Sequence, residues 1–328
     1  MKSYLIGIDI GGTKCAVSLG TSSENGIEIV KRAPAIRTKD YAVGDALDAL
    51  LADVRGMIAE SSEMPKAIGI SCGGPLDSKR GIIQSPPNLP GWDDIHATEF
   101  FTEKTGVPTY LCNDANACAL AEWKAGAGRG CENMLFLTFG TGLGAGIILD
   151  GRLIEGASGY AGEAGHIRLA EHGPSGYGKA GSFEGFCSGG GIAQLAENIV
   201  RQHLQRGEHP ALCPNIADLD TLTAEKVGKA AKAGDAIAVE IMNECGKMLG
   251  YGLSILIDLF NPERIVIGSI FMRAHDELWP EAKKVIDREA LPMASAVCEV
   301  VPAGLTESVG DIAALTVAAY HIEKKRDL

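Results

Sequence analysis

The sequence runs to 328 residues, long for one hydrophobic core and sufficient for two domains. With 46% hydrophobic and 22% charged residues it is globular in composition, and its formal net charge of −12 argues against a nucleic-acid or anionic-membrane surface, since phosphate-backbone binding is driven by Lys and Arg. Nine cysteines without a CxxC pair read as reduced thiols; no run reaches the length of a membrane span and Asp9 interrupts the N-terminal apolar run, so a cytoplasmic protein is expected.

Residues 4–8 form a short apolar strand that meets Asp9, Ile10, Gly11, Gly12, Thr13 and Lys14 and leaves through a second apolar run at 16–19. The design recurs later, where a strand at 135–139 meets Gly140, Thr141, Gly142, Leu143, Gly144, Ala145 and Gly146 and continues into Ile147, Ile148 and Leu149. Glycine and threonine turns leave backbone N–H groups uncovered, and a row of amide protons with a threonine hydroxyl suits phosphate oxygens. Two facing copies would clasp a polyphosphate from both sides. The first copy lacks the Gly-Lys-Ser/Thr ending of a Walker A loop, and the second leads into a strand rather than a helix, which disfavours P-loop and Rossmann folds.

Between the copies, Leu47, Leu50, Leu51, Val54 and Ile58 place a helix within residues 44–64. A strand at 67–71, a turn through Cys72, Gly73, Gly74, Pro75, Leu76 and Asp77, a proline-rich loop at 86–92 and a helix at 95–105 follow. A strand at 109–112 then delivers Asn113 and Asp114 ahead of an alanine-rich helix at 115–125. Residues 151–191, dense in glycine, are expected to wrap a site rather than build a core. Helices are expected at 192–205, 224–233 and 235–260, a buried strand at 264–269, and a last helix at 309–325 entered after Glu307 and Ser308, with a frayed tail beyond it.

Taken together, Asp9-Ile-Gly-Gly-Thr-Lys14, Asn113-Asp114, Gly140-Thr-Gly-Leu-Gly-Ala-Gly146 and Glu163-Ala-Gly-His166 resemble the ROK family (repressor, open reading frame, kinase) of bacterial sugar kinases. Pro86-Pro-Asn-Leu-Pro-Gly-Trp92 and the stretch from Phe183-Glu184 to Ser188-Gly189 fit as well, so the resemblance spans almost the whole chain in order. It implies an α/β, actin-like (ribonuclease H-like) two-lobed ATPase fold and ATP-dependent phosphorylation of a hexose hydroxymethyl group. The lobes are expected at 1–115 with the C-terminal helix (about 306–328), and at 116–305. A homodimer through the second lobe is also implied, in which the apolar 235–260 segment is either the contact or a core helix.

One departure stands out. Members of the family commonly hold a structural zinc with three cysteines of a CxCGxxGCxE segment and the histidine of ExGH. Here those cysteine positions are Ser175, Tyr177 and Ser182. Neutral hydroxyls are poor zinc ligands, so zinc is not expected, and the loop is expected to be held by hydrogen bonds and by Tyr177 packing. An alternative set of His166, His172 and Cys187 matches no usual ligand spacing.

Phosphoryl transfer needs a clamp on the phosphates, a metal to neutralise charge, and a group that orients the acceptor hydroxyl. Gly11, Gly12, Thr13, Thr141, Gly142 and Gly268 are the nucleotide candidates, and Asp9 the candidate for Mg²⁺, held through water. Lys14 either adds positive charge near the phosphates or is a solvated hairpin residue. Asp114 is the candidate catalytic base, at a helix N-terminus expected to keep it ionised at neutral pH; Asn-Asp before an alanine helix also reads as a cap, and the resemblance favours base plus cap. For the sugar, the resemblance points to Asn88, Asn113, Asp114, Glu163, His166 and Glu184, whose side chains can bridge neighbouring hydroxyls. A glucokinase or hexokinase type is expected. Fructokinase, suggested by His166-Ile-Arg-Leu169 and Glu184-Gly185, and N-acetylmannosamine or N-acetylglucosamine kinase are the alternatives. A sugar-sensing regulator is disfavoured because the first hairpin starts at residue 9, leaving no room ahead for a helix-turn-helix.

Overall fold

The computed structural model describes residues 2–24, 26–305 and 309–326. Two five-membered runs of strands carry the fold, and both follow one plan. The first orders Gly26–Arg32, Lys14–Ser23, Ser3–Ile10, Ile68–Cys72 and Thr109–Asn113, with Ile36–Arg37 also pairing Lys14–Ser23. The second orders Arg152–Leu153, Leu143–Leu149, Met134–Phe139, Arg264–Ile267 and Glu299–Pro302. In each, the first two pairings are antiparallel and the last two parallel. The repeated glycine and threonine turns are therefore the same feature of a duplicated unit.

Strand register decides where the chemistry collects. Ile10 pairs with Cys72 and Cys72 with Asn113, so Asp9 to Thr13, Gly73 and Asp114 emerge along one edge of the first sheet. Leu137 pairs with Ile267, which brings Gly140 and Gly268 out along the matching edge of the second. Ligands of α/β sheets collect at the carboxyl ends of parallel strands for this reason.

One core lies between the first sheet and the helices Val43–Glu60 and Ala97–Thr105, through Leu47, Leu50, Leu51, Val54 and Phe101. On the sheet's other face the C-terminal helix Val309–Arg326 packs through Leu315, Ala318 and Ala319. Gly69 allows the close approach: a Cβ there would stand 2.1 Å from the Ala314 carbonyl oxygen. Gly69→Ala is expected to cost about 2–3 kcal/mol or more, because both the strand and the helix would have to shift. A fall in urea midpoint against wild type measures it, and an unchanged midpoint would show that the helix docks more loosely than this.

The second core is dominated by the helix Ala236–Phe260, whose Ile241, Met242, Cys245, Leu249, Leu253 and Ile257 are buried. Its apolarity on several faces is thus that of a core helix. Phe183, Phe186 and Cys187 are buried in the same core, so the glycine-dense stretch does not only wrap a site, as expected, but contributes side chains to the interior.

Further differences from the expected elements are local. The 44–64 helix ends at Glu60, and the 95–105 helix starts at Ala97 because Ile95–His96 pairs as a short strand with Ile82–Ile83. The helix His275–Glu289 and the edge strands Gly26–Arg32 and Glu299–Pro302 were not expected. The Glu307 and Ser308 start signal and the tail beyond residue 326 lie outside the described residues. Among those described, all nine cysteines are free and no helix is long and apolar enough to cross a membrane.

Candidate active site

The first hairpin turn is braced from behind. Gly11 N–H donates to the Lys14 carbonyl at 3.0 Å, the Thr38 hydroxyl donates to the Gly11 carbonyl at 2.6 Å, and Thr38 N–H donates to the Thr13 carbonyl at 3.1 Å. Thr38 thus fixes both arms of the turn while Thr13 and Lys14 stay exposed. Gly12 lies against the Asn88 backbone, where a Cβ would come within 2.5 Å of the Asn88 carbonyl oxygen, so the turn and the 86–92 loop need a glycine at their contact.

Asp9 is half-buried beneath this turn, against Gly310 at the start of the C-terminal helix. Its carboxyl is pushed up to about 6, first by burial, then by Asp311 and Asp114, with Lys14 pulling the other way. Asp311 is itself paired with Arg32, at 2.7 Å. When ionised, the Asp9 carboxylate offers the hard oxygen donor that a divalent cation such as Mg²⁺ takes. Among the described residues no group of three or more His, Cys, Asp or Glu is arranged to hold a metal.

Asn113, not Asp114, caps the next helix. The Asn113 side chain accepts from the N–H groups of Ala115, at 3.0 Å, and Asn116, at 3.4 Å, and the helix runs Asp114–Ala125. Asp114 also accepts from Ala115 N–H through one oxygen, at 2.8 Å. Its other oxygen and the Asn88 side chain both border Gly73: a Cβ there would lie 3.8 Å from Asp114 Oδ2 and 3.7 Å from Asn88 Nδ2. The stabilisation of the Asp114 carboxylate expected from the helix terminus is present but outweighed by burial. Burial pushes the carboxyl up, against the lowering effect of the backbone N–H groups and of the Asn113 side chain. The side chain is still open to solvent, as a group on the floor of a cleft is, so protein surrounds it without covering it.

The opposite wall carries Glu163, His166 and Glu184. The Glu163 carboxyl is raised first by burial and then by Glu184, with a smaller contribution from Asp114, and lowered by His166, which places all four groups within electrostatic reach of one another. Glu184 sits in the short helix Phe183–Phe186 and accepts from Leu143 N–H at 2.9 Å. A Cβ on Gly142 would be 2.7 Å from the same oxygen. Glu184 therefore ties this wall directly to the second hairpin turn. Behind that hairpin, Gly189 N–H donates to the Gly140 carbonyl at 2.8 Å, and Gly268 N–H to Leu137 at 2.9 Å.

In the loop at 175–182 the donor set does not suit zinc. The buried Ser182 hydroxyl accepts from Gly185 N–H at 3.0 Å and so serves as a helix cap, and Tyr177 is 74% exposed. Cys187 is buried and its thiol donates to the Cys245 carbonyl at 3.7 Å. Hydrogen bonds hold the loop as expected: Gln194 brackets Ser175 at 2.9 and 3.0 Å, Arg168 reaches the Ala180 carbonyl at 2.8 Å and Lys179 the His166 carbonyl at 2.6 Å. The expected Tyr177 packing is not found, since the ring meets only the edge of His166, with centroids 6.4 Å apart.

The structure thus brings Asp9, Gly11, Gly12, Asn88, Asn113 and Asp114 to one wall, and Gly142, Glu163, His166 and Glu184 to the other. Thr13, Lys14 and Thr141 stand exposed at the two turns. Thr38 and Asp311 were missed because their roles depend on partners far away in the chain. Ser269, next to Gly268, was also missed; it adopts a left-handed φ of 56° beside Gly140, and only backbone geometry reveals it.

The ROK family profile matches residues 5–320. The glucokinase of Thermotoga maritima is 33% identical over 326 residues, covering 98% of this chain and 99% of that protein. Among solved structures, the ROK hexokinase of Thermus thermophilus superposes with a TM-score of 0.81 at 27% identity, covering 99% of this chain and 100% of the other. A ROK family glucokinase from Streptomyces griseus, in complex with glucose and AMPPNP, superposes with a TM-score of 0.74 at 30% identity, covering 97% and 100%. Duplicated sheets, paired glycine and threonine turns and these likenesses agree on the actin-like ATPase fold, and the chain belongs to the ROK family.

Proposed function

We propose that this chain is an ATP-dependent sugar kinase that transfers the γ-phosphoryl group of ATP to a hexose hydroxymethyl oxygen, with glucose the preferred acceptor. The observation that carries the reading is the convergence of two phosphate turns on Asp114, supported by likeness to a glucokinase over nearly the full length of both chains and to a glucokinase complexed with glucose and AMPPNP. In the proposed mechanism, backbone N–H groups of Gly11, Gly12 and Gly142 and the hydroxyls of Thr13 and Thr141 hold the phosphates, with Lys14 and Gly268 also on the nucleotide side. Asp9 would hold Mg²⁺, which when bound neutralises charge on the phosphates. Asn88, Asn113, Glu163, His166 and Glu184 bind sugar hydroxyls. Asp114 accepts the proton of the attacking hydroxyl as its oxygen bonds to the γ-phosphorus and the bridging oxygen leaves with ADP. A raised carboxyl is better matched to this task than an ordinary one.

We further assign residues 1–115 and the C-terminal helix to one lobe and 116–305 to the other, closing on the sugar. A homodimer through the second lobe is supported by the exposed Leu259, Leu291 and Met293, brought together where Leu291 N–H donates to Asp258 at 2.8 Å. Nine free cysteines suit the reducing cytoplasm.

The test is ADP release with Mg²⁺ATP over a panel of glucose, fructose, mannose, N-acetylmannosamine and N-acetylglucosamine. Glucose should give the highest kcat/KM, and zinc chelation followed by restored Mg²⁺ should leave it unchanged. No ADP release above the sugar-free rate with any of the panel would overturn the function. Activity lost with stoichiometric zinc would overturn the zinc-independence.

A further inference from the structure

Away from the phosphates, the two walls of the cleft are joined directly. The Ser78 hydroxyl donates to Glu155 Oε1 at 2.9 Å, and Lys79 Nζ donates to the Ala157 carbonyl at 3.0 Å. Ser78 and Lys79 stand in the turn between Leu76–Asp77 and Ile82–Ile83, part of the first core. Glu155 and Ala157 follow Arg152–Leu153, the edge of the second sheet. Each partner is a short chain distance from the proposed sugar groups. Gly73 and Gly74, just ahead of Ser78, lie against Asn88, Asn113 and Asp114, while Glu163 comes eight residues after Glu155.

Both turns are anchored, so a pull on one is passed to its wall. Gln84 N–H donates to the Pro75 carbonyl at 2.9 Å and Arg80 N–H to Asp77 at 2.9 Å on one side. On the other, Ala161 N–H donates to the Glu155 carbonyl at 3.2 Å, and the Gly162 carbonyl accepts from Ala145 in the second hairpin at 3.0 Å. Both Ser78 and Glu155 are half-buried, which strengthens a hydroxyl-to-carboxylate bond relative to one in open water.

We propose that Ser78 and Glu155 are positioning residues whose cross-cleft bond holds the sugar-side walls at binding distance, so that its loss weakens sugar retention and leaves nucleotide binding intact. This rests on the sugar-kinase reading. The variants are Ser78→Ala, Glu155→Ala, their combination, and Glu155→Gln, which keeps a carbonyl able to accept from Ser78. By calorimetry with glucose, each alanine variant should raise Kd about three- to tenfold, the size of one such hydrogen bond. The double variant should be no weaker than the weaker single one, Glu155→Gln should stay within about twofold, and Kd for AMPPNP should not move in any of them. Hydrogen exchange on the ligand-free protein supplies a readout independent of any sugar: residues 74–84 and 155–162 should both exchange faster in Ser78→Ala. Unchanged exchange in both segments, or additive losses in the double variant, overturns the positioning role. Wild-type protein that binds no hexose while the exchange result holds would overturn the sugar-kinase reading and leave the cross-cleft bond standing.

Discussion

Asp114→Asn is expected to lower kcat by about two to four orders of magnitude, the usual worth of a positioned general base, with glucose and ATP affinities within about threefold of wild type. The substitution is nearly isosteric, and the structure limits its side effects. An asparagine oxygen can still accept from Ala115 N–H, now held at 2.8 Å, and the helix keeps its own cap because that role belongs to Asn113. What disappears is the ability to take a proton from the acceptor hydroxyl. Because burial raises the Asp114 carboxyl, removing its charge is expected to leave the fold no less stable, which a urea midpoint at or above that of wild type checks. Single-turnover measurements with glucose and Mg²⁺ATP would locate the loss in the chemical step. Residual kcat above about one tenth of wild type would assign the proton to another group, with Glu163 next in reach.

Much of this site could be read before any coordinates. A strand, a glycine and threonine turn and a second strand are local features, and their repetition at 135–149 made the duplication visible. Asn113-Asp114 at a strand end was visible for the same reason. The boundary between cap and base was not, because both residues suit a cap and only the bonds to Ala115 and Asn116 separate them. The helix His275–Glu289 escaped because Pro280 lies inside it and charged residues dominate its exposed face. Charge interactions were the least legible. Asp9 owes its raised carboxyl partly to Asp311, about three hundred residues on, and Ser78 meets Glu155 across a cleft that no local pattern announces. The zinc-type loop is a mixed case: the missing thiols were plain, whereas the use of Ser182 as a cap and of Gln194 as a clamp needed the fold.

Asp9→Asn should abolish most activity and make the ligand-free protein more stable at neutral pH. The folded carboxyl titrates at about 6 against an ordinary value of 3.8. A folded value above the unfolded one means that the folded state holds the proton more tightly. The stabilisation this gives is complete below about pH 4, declines as pH rises, and is gone above about 6, where the fold carries an ionised group it disfavours. The whole difference corresponds to about 3 kcal/mol at most, and partial solvent access reduces it to about 1–2 kcal/mol. Asparagine removes the charge and should recover that amount at pH 7 and little at pH 4, as read from urea midpoints at the two values. The same change removes the only charge proposed to hold Mg²⁺ and should lower kcat/KM for Mg²⁺ATP by at least about a hundredfold. In wild type, kcat/KM should fall as pH drops towards 6, because the protonated group has no charge for the metal, and raising Mg²⁺ should move that limb to lower pH. Stability that is equal in the two proteins at pH 7 would mean that Asp9 is not held as a confined carboxylate. Near-normal turnover in the variant would place the metal elsewhere in the cleft.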